Sequence, residues 1–258
     1  MSTAEPPSSP ARPHAAVTAD PARHGLARMA AYAGCLWIAC TLATAVAAEL
    51  GRPGGLDLIR PTFSELIFTG PGARLVGLSM VSLAFASICV VFALAGLRAP
   101  TGRLAQALIA GWAGTLVVAA IFPMTPVGAP PVWHDTLHRY AALAGLVCLP
   151  VAGLRLARRF RDDPRWRPAV ALLRPLSAAS LLGVAAFLAT FVPVDHPLWL
   201  LGARQYSGIT ERVPLAADLA LLATLAGAVL RAAAPRRPGS RSHRSAEPGA
   251  RVGPVITP

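Results

Sequence analysis

The sequence predicts an all-α polytopic membrane protein: six transmembrane helices in an antiparallel bundle, with both termini cytoplasmic. Three observations carry this reading. First, 54% of the 258 residues are hydrophobic and only 14% are charged, against about 25% charged in an ordinary soluble domain; the mean hydropathy is +0.53. Second, six separate stretches are apolar enough, over about 20 residues each, to cross roughly 30 Å of hydrocarbon. Third, the basic residues are distributed unevenly over the connections between those stretches.

The six spans fall near residues 28–49, 74–97, 104–123, 136–157, 173–192 and 211–231. Their connections are short, which favours antiparallel neighbours. All 24 basic residues are arginine. With the N-terminus inside, 18 lie on the cytoplasmic side and 6 on the outer side. This is the asymmetry that orients membrane helices, and it also requires an even number of spans. Residues 1–25 form a polar N-terminal tail, 26–232 the six-helix domain, and 233–258 a basic C-terminal tail. Both tails are rich in Pro, Ser, Ala or Gly and lack a core, so disorder is expected of them. Residues 1–25 do not read as a signal peptide, because the apolar segment that follows is too long for one.

The net charge of +12 does not point to nucleic acid. Its densest run, Arg155–Pro168, "RLARRFRDDPRWRP", reads as a topology anchor meeting anionic headgroups. Membrane lipids are the expected partners, and nothing in the sequence fixes an oligomeric state. The four cysteines, Cys35, Cys40, Cys89 and Cys148, all lie in apolar runs with no CxxC spacing. They read as packing residues rather than as disulfide or zinc ligands. The arginine, alanine and proline bias fits a GC-rich bacterial genome, so the expected location is the bacterial plasma membrane. Trp133, Trp199 and Tyr206 fall near helix ends at the outer side, where amphipathic rings favour the interface.

The acidic residues and histidines gather at the outer mouths of the helices. The first outer connection, Gly51–Arg74, carries Ser64 and Glu65 at the polar edge of a short apolar turn. The second, Phe122–Tyr140, is "FPMTPVGAPPVWHDTLHRY" and brings His134, Asp135, His138 and Arg139. The third, Val192–Pro214, brings Asp195, His196, Glu211 and Arg212. Prolines close the third and fifth helices at the starts of the second and third connections. Asp135 is placed to cap the fourth helix, and Thr210 to cap the sixth. If the fourth helix begins early, His134 and His138 stand at i and i+4 on one face. That spacing suits two zinc ligands, although no HExxH accompanies it; capping and hydrogen bonding is the plainer role. Asp218 falls about five residues into the apolar run of the sixth span, seven residues after Glu211. An unpaired carboxylate in such a place costs about 2.5–3.5 kcal/mol, so a partner is expected among Arg74, Arg139, Arg212 or a histidine.

In order along the chain, "FSEL" (63–66), "IFP" (121–123), "HDTLHRYAALAG" (134–145) and "GITERV" (208–213) resemble motifs of a bacterial membrane family known as domain of unknown function 998. The resemblance covers about residues 28–231. It implies a multi-pass membrane protein with no established activity, and its matching positions are Ser64, Glu65, His138, Glu211 and Arg212. In the family's pattern an acidic residue often follows the Phe-Pro; Thr125 stands there in this chain.

Three functions compete on this sequence. In the first, the outer polar cluster is structural or binds a small ligand or lipid. In the second, it holds zinc for hydrolysis of a lipid or amide, through His134, His138, Asp135 or Asp195, with Glu65 as a base; this is an analogy to intramembrane hydrolases. In the third, the protein is a small-solute transporter, a reading weakened by the scarcity of ionisable residues at mid-depth in the first five spans.

Overall fold

The computed structural model describes residues 21–125, 130, 132–192 and 204–234. Among these the secondary structure is entirely helical. The helices are α1 (Pro21–Leu50), α2 (Gly72–Gly96), α3 (Arg103–Ile121), α4 (Trp133–Phe160), α5 (Arg167–Ala189) and α6 (Ser207–Ala232), with short 3₁₀ turns at Ser64–Phe68 and Arg204–Tyr206. All six α-helices are long and apolar enough to cross a membrane.

Each expected span corresponds to one helix, but several begin earlier than the apolar stretch does. Helix α5 begins at Arg167 rather than near 173, because Pro168 sits in its first turn, where a fixed φ and a missing N–H cost nothing. Just before it, the rings of Phe160 and Trp166 stack at 4.7 Å, and Asp163 Oδ1 accepts the Arg165 N–H at 2.9 Å. The basic run from 155 to 168 is therefore mostly helix, with only a tight turn between α4 and α5. Helix α6 begins at Ser207. Thr210 consequently lies inside it and donates to the carbonyls of Tyr206 (2.9 Å) and Ser207 (3.1 Å), instead of capping it.

Consecutive helices pack side by side, and α6 returns against α1, α2 and α4 as well as α5. Helix α6 thus occupies the middle of the bundle, with Leu221, Leu222, Leu225, Ala226 and Val229 fully buried. The main core runs from Leu83, Val90 and Leu94 of α2 through Ile109 and Trp112 of α3 and Leu149 and Leu156 of α4 to this α6 face. Three helices carry an interior proline: Pro150, Pro175 and Pro214. Gly183 of α5 lies against Pro214, and a Cβ there would stand 2.7 Å from Pro214 Cδ. The small residue therefore serves contact within the chain, at the α5–α6 seam.

One connection is an element in its own right. Residues 51–71, here called the strap, turn through Gly54 and Gly55, whose φ angles of 89° and 91° suit glycine alone. The strap then runs back to α6. The N–H groups of Gly208 and Ile209 donate to the carbonyls of Arg60 and Ile59, both at 3.2 Å, and Ser207 Oγ donates to Arg60 O at 2.8 Å. Gly208 makes this possible, since a Cβ there would overlap the Pro61 and Ile59 carbonyls.

Candidate functional site

At the strap end, a cavity of about 470 Å³ lies among α1, α2, α3, α4, α6 and the strap. Small-molecule sites typically measure about 300–1,000 Å³. The walls are mainly aliphatic and aromatic: Val46 of α1, Leu83 of α2, Leu116 of α3, Leu146 of α4 and Leu219 of α6, joined by Leu56, Leu58 and Phe63 of the strap, and the space is partly open. Nearest the strap, the lining turns polar with Glu49, Ser64, His138, Glu211 and Arg212.

The strap is held by charged side chains from two helices. Glu211 of α6 accepts from the Phe63 backbone N–H and from Ser64 Oγ. Its neighbour Arg212 donates through Nη1 to the carbonyls of Pro61 (2.8 Å) and Leu58 (3.3 Å). Through Nε, at 2.9 Å, and Nη2 it engages Glu49 Oε1 at the end of α1. Glu49 Oε2 accepts from Arg52 at 3.3 Å, and Arg52 also reaches the Asp57 carbonyl at 3.0 Å. Asp57 in turn accepts the Ile59 and Arg60 N–H groups at 2.9 and 3.2 Å. Those backbone donors hold its carboxyl below the usual carboxylate range.

Glu65 is occupied locally. Its Oε2 accepts the Thr62 N–H at 3.0 Å, while its own N–H donates to Thr62 Oγ1 at 3.3 Å. This reciprocal arrangement is a capping box that opens the 3₁₀ turn and leaves Ser64 facing Glu211. The sequence expectation of Glu65 as a base has no support in this geometry.

Helix α4 begins at Trp133, so His134 and His138 do stand at i and i+4. Both turn Nδ1 toward the end of α3. His134 Nδ1 lies 3.2 Å from Pro123 O, and His138 Nδ1 lies 3.1 Å from Ala119 O and 2.9 Å from Phe122 O. Carbonyls cannot donate, so Nδ1 carries the proton in each ring. The pair supplies donors to carbonyls that the end of α3 leaves open. Asp135 does not cap α4, whose N-cap position is Val132 without a side-chain bond. It pairs instead with Arg139 at 3.0 Å and accepts the Thr125 N–H at 3.3 Å. This fastens the chain leaving α3 to the first turn of α4. Among the described residues, no three His, Cys, Asp or Glu side chains come together in a metal-binding set. Asp195 and His196 lie outside the described residues, as does Trp199.

Asp218 lies eleven residues beyond the start of α6 at Ser207 and is 0% exposed. None of the expected cations reaches it. Its Oδ1 accepts from Ser180 Oγ of α5 at 2.7 Å, and Oδ2 has no partner among the described residues. Arg139 is held by Asp135 and Arg212 by Glu49, which explains why neither is available. Asp218 belongs to the α5–α6 seam and does not line the cavity.

The candidate residues therefore separate into three groups. Ser64, Glu211 and Arg212 join the strap to α6; His134, Asp135, His138 and Arg139 join α3 to α4; Asp218 joins α5 to α6. The first two groups meet only across the cavity, which His138 lines together with Ser64, Glu211 and Arg212. The sequence places Glu49 among the outer acidic residues without giving it a role, and does not single out Trp112 or Ser180. Glu49 had a readable signal: a carboxylate in the last turn of a helix opposes the dipole there and calls for a cation. Trp112 had one too, as a tryptophan within a span rather than at its interfacial end.

An all-helical chain with six spans and an apolar cavity under a polar strap defines a polytopic helical membrane protein. The chain belongs to the family described as protein of unknown function DUF998, whose profile matches residues 32–228. Comparison with curated proteins and with solved structures returns no match.

Proposed function

We propose that this protein binds a single-chain apolar or amphipathic molecule, drawn from the membrane, in the cavity beneath the strap. The observation that carries this reading is the cavity itself. A partly open cleft of this size between packed helices leaves its walls short of protein contacts, and a chain of methylene groups would supply them. The walls offer apolar area to such a chain, and the strap adds Leu56, Leu58 and Phe63 to them.

The setting that fits this role is the bacterial cell membrane, with both termini on the cytoplasmic side and the strap on the outer side, the orientation that the arginine distribution favours. Nucleic acid has no part in it. The polar groups near the strap act as a latch: the carboxylates of Glu49 and Glu211 and each guanidinium nitrogen of Arg212 are engaged in holding strap, α1 and α6 together.

The test is binding of the fluorescent apolar probe 1-N-phenylnaphthylamine to protein purified in detergent. Ala142 and Ala216 line the cavity, and replacing each with Phe fills it. Saturable binding to the native chain that is lost in A142F and A216F supports the reading. Equal binding by native and filled proteins, or none by either, overturns it.

A further inference from the structure

The proposed occupancy of the cavity leaves open what kind of head the bound chain carries, and the unengaged polar atoms on the cavity wall answer that. The guanidinium of Arg212 is committed to Glu49 and to two strap carbonyls. Ser64 donates to Glu211, Thr115 to the Trp112 carbonyl at 2.8 Å, and Thr41 to the Trp37 carbonyl at 2.9 Å. Two lining side chains are not committed. His138 is 3% exposed, and with Nδ1–H donating to α3, its neutral ring presents the Nε2 lone pair with no protein donor among the described residues. Trp112 is 1% exposed, and its Nε1–H is buried without an acceptor among them, away from the open space of the cavity.

These two atoms differ in depth. His138 meets the Ala119 carbonyl, seven residues along α3 from Trp112, or about 10 Å at 1.5 Å per residue. The free acceptor lies nearer the strap and the free donor deeper in the bundle. No uncommitted cation lines the space, whereas two carboxylates, Glu49 and Glu211, do.

We infer that the cavity selects a neutral, hydroxyl-bearing single-chain lipid, whose O–H donates to His138 Nε2 and whose chain runs inward past Trp112. This rests on the cavity reading given above. A carboxylate or phosphate head would meet an acceptor rather than a donor at His138. It would also have to shed its hydration against a mainly apolar wall where no uncommitted cation is at hand to pair with it. A plain alkane would leave Nε2 dry and unpaired.

The experiment is displacement of 1-N-phenylnaphthylamine by 1-hexadecanol, hexadecanoate and hexadecane at equal mole fraction in the detergent micelle. Hexadecanol should bind about ten-fold more tightly than either of the other two, a difference on the order of one well-made buried hydrogen bond. His138→Phe keeps the ring shape and removes the acceptor. It should bring the three ligands to within about two-fold of each other while the probe still binds. Because His138 also caps α3, the comparison among ligands on the native protein stands as a test that needs no variant. Hexadecanoate displacing as well as hexadecanol, or a hexadecanol preference that survives in H138F, overturns the inference while leaving the cavity reading intact. Failure of the probe to bind the native chain overturns both.

Discussion

Arg212 of α6 and Glu49 of α1 form an ion pair across 163 residues of sequence, with Nε and Oε1 2.9 Å apart. Their side chains are 15% and 12% exposed. The same guanidinium bonds two carbonyls of the strap, so a single side chain ties the first helix, the last helix and the cover of the cavity. Removing Glu49 leaves the mostly buried Arg212 guanidinium without a carboxylate, at a cost of about 3 kcal/mol, the lower end of the range for buried pairs; removing Arg212 costs less, because Arg52 still pairs with Glu49 at 3.3 Å. Glu49→Gln and Arg212→Met should each lower the midpoint of thermal unfolding in detergent and expose the strap to protease. Arg212→Lys should recover little, because a compact ammonium cannot serve Glu49 and two carbonyls from one plane. Unfolding and proteolysis indistinguishable from the native protein in all three would show that the latch carries no load.

The approach of the strap to α6 depends on Gly208. Gly208→Ala places a methyl group into the Pro61 and Ile59 carbonyls and should cost about 1–3 kcal/mol, the usual penalty for overpacking. Hydrogen exchange at Gly208 and Ile209, whose N–H groups donate to the strap at 3.2 Å, should accelerate. Exchange that stays as slow as in the native chain would mean the strap is held elsewhere.

Asp57 gives the strap a dependence on pH. Its carboxyl is held below the usual range by the N–H groups of Ile59 and Arg60. A lowered folded-state pKa contributes stability that is present above the unfolded value, about 3.9, and is lost as pH falls through the folded one. Exchange of the Ile59 and Arg60 amides should therefore be steady from neutral pH down to about 4, once corrected for intrinsic rates, and rise below it. Asp57→Asn keeps an acceptor oxygen without the titration and should flatten that rise. A rise unchanged in D57N would assign it to another group.

The Ser180–Asp218 bond at the α5–α6 seam should be costly to halve. Ser180→Ala removes the only donor that Asp218 has among the described residues and should destabilise by about 1–3 kcal/mol. Adding Asp218→Leu removes the stranded acid as well, and the double variant should recover most of the loss, since the two effects are not additive for groups in contact. A double variant less stable than S180A would show that Asp218 has a partner beyond Ser180.

Orientation can be tested with reporter fusions at Arg161, in the α4–α5 turn, and at Gly54, in the strap. The two should report from opposite sides of the membrane, with Arg161 cytoplasmic. The reverse assignment would invert the proposed topology, and reports from the same side would break the alternation of the six spans.

The sequence by itself determined the class of protein. Hydrocarbon admits a backbone only when its own hydrogen bonds satisfy it, so six apolar stretches of sufficient length each had to become a helix. Local chemistry near those helices was also legible. The i, i+4 spacing of His134 and His138 followed from helix periodicity once the start of α4 at Trp133 was known. Helix starts were misplaced at α5 and α6 because Pro168 and the segment around Ser207 extend the helices beyond their apolar lengths. The tertiary structure alone decided the partners. Arg212 chose Glu49 over Asp218, and Asp218 took Ser180, because in a bundle the nearest group is set by which helices touch and at what height, and sequence separation carries no such information. The cavity was invisible for the same reason: it is a void bounded by residues from five helices and the strap, and no single stretch of sequence records the space between them.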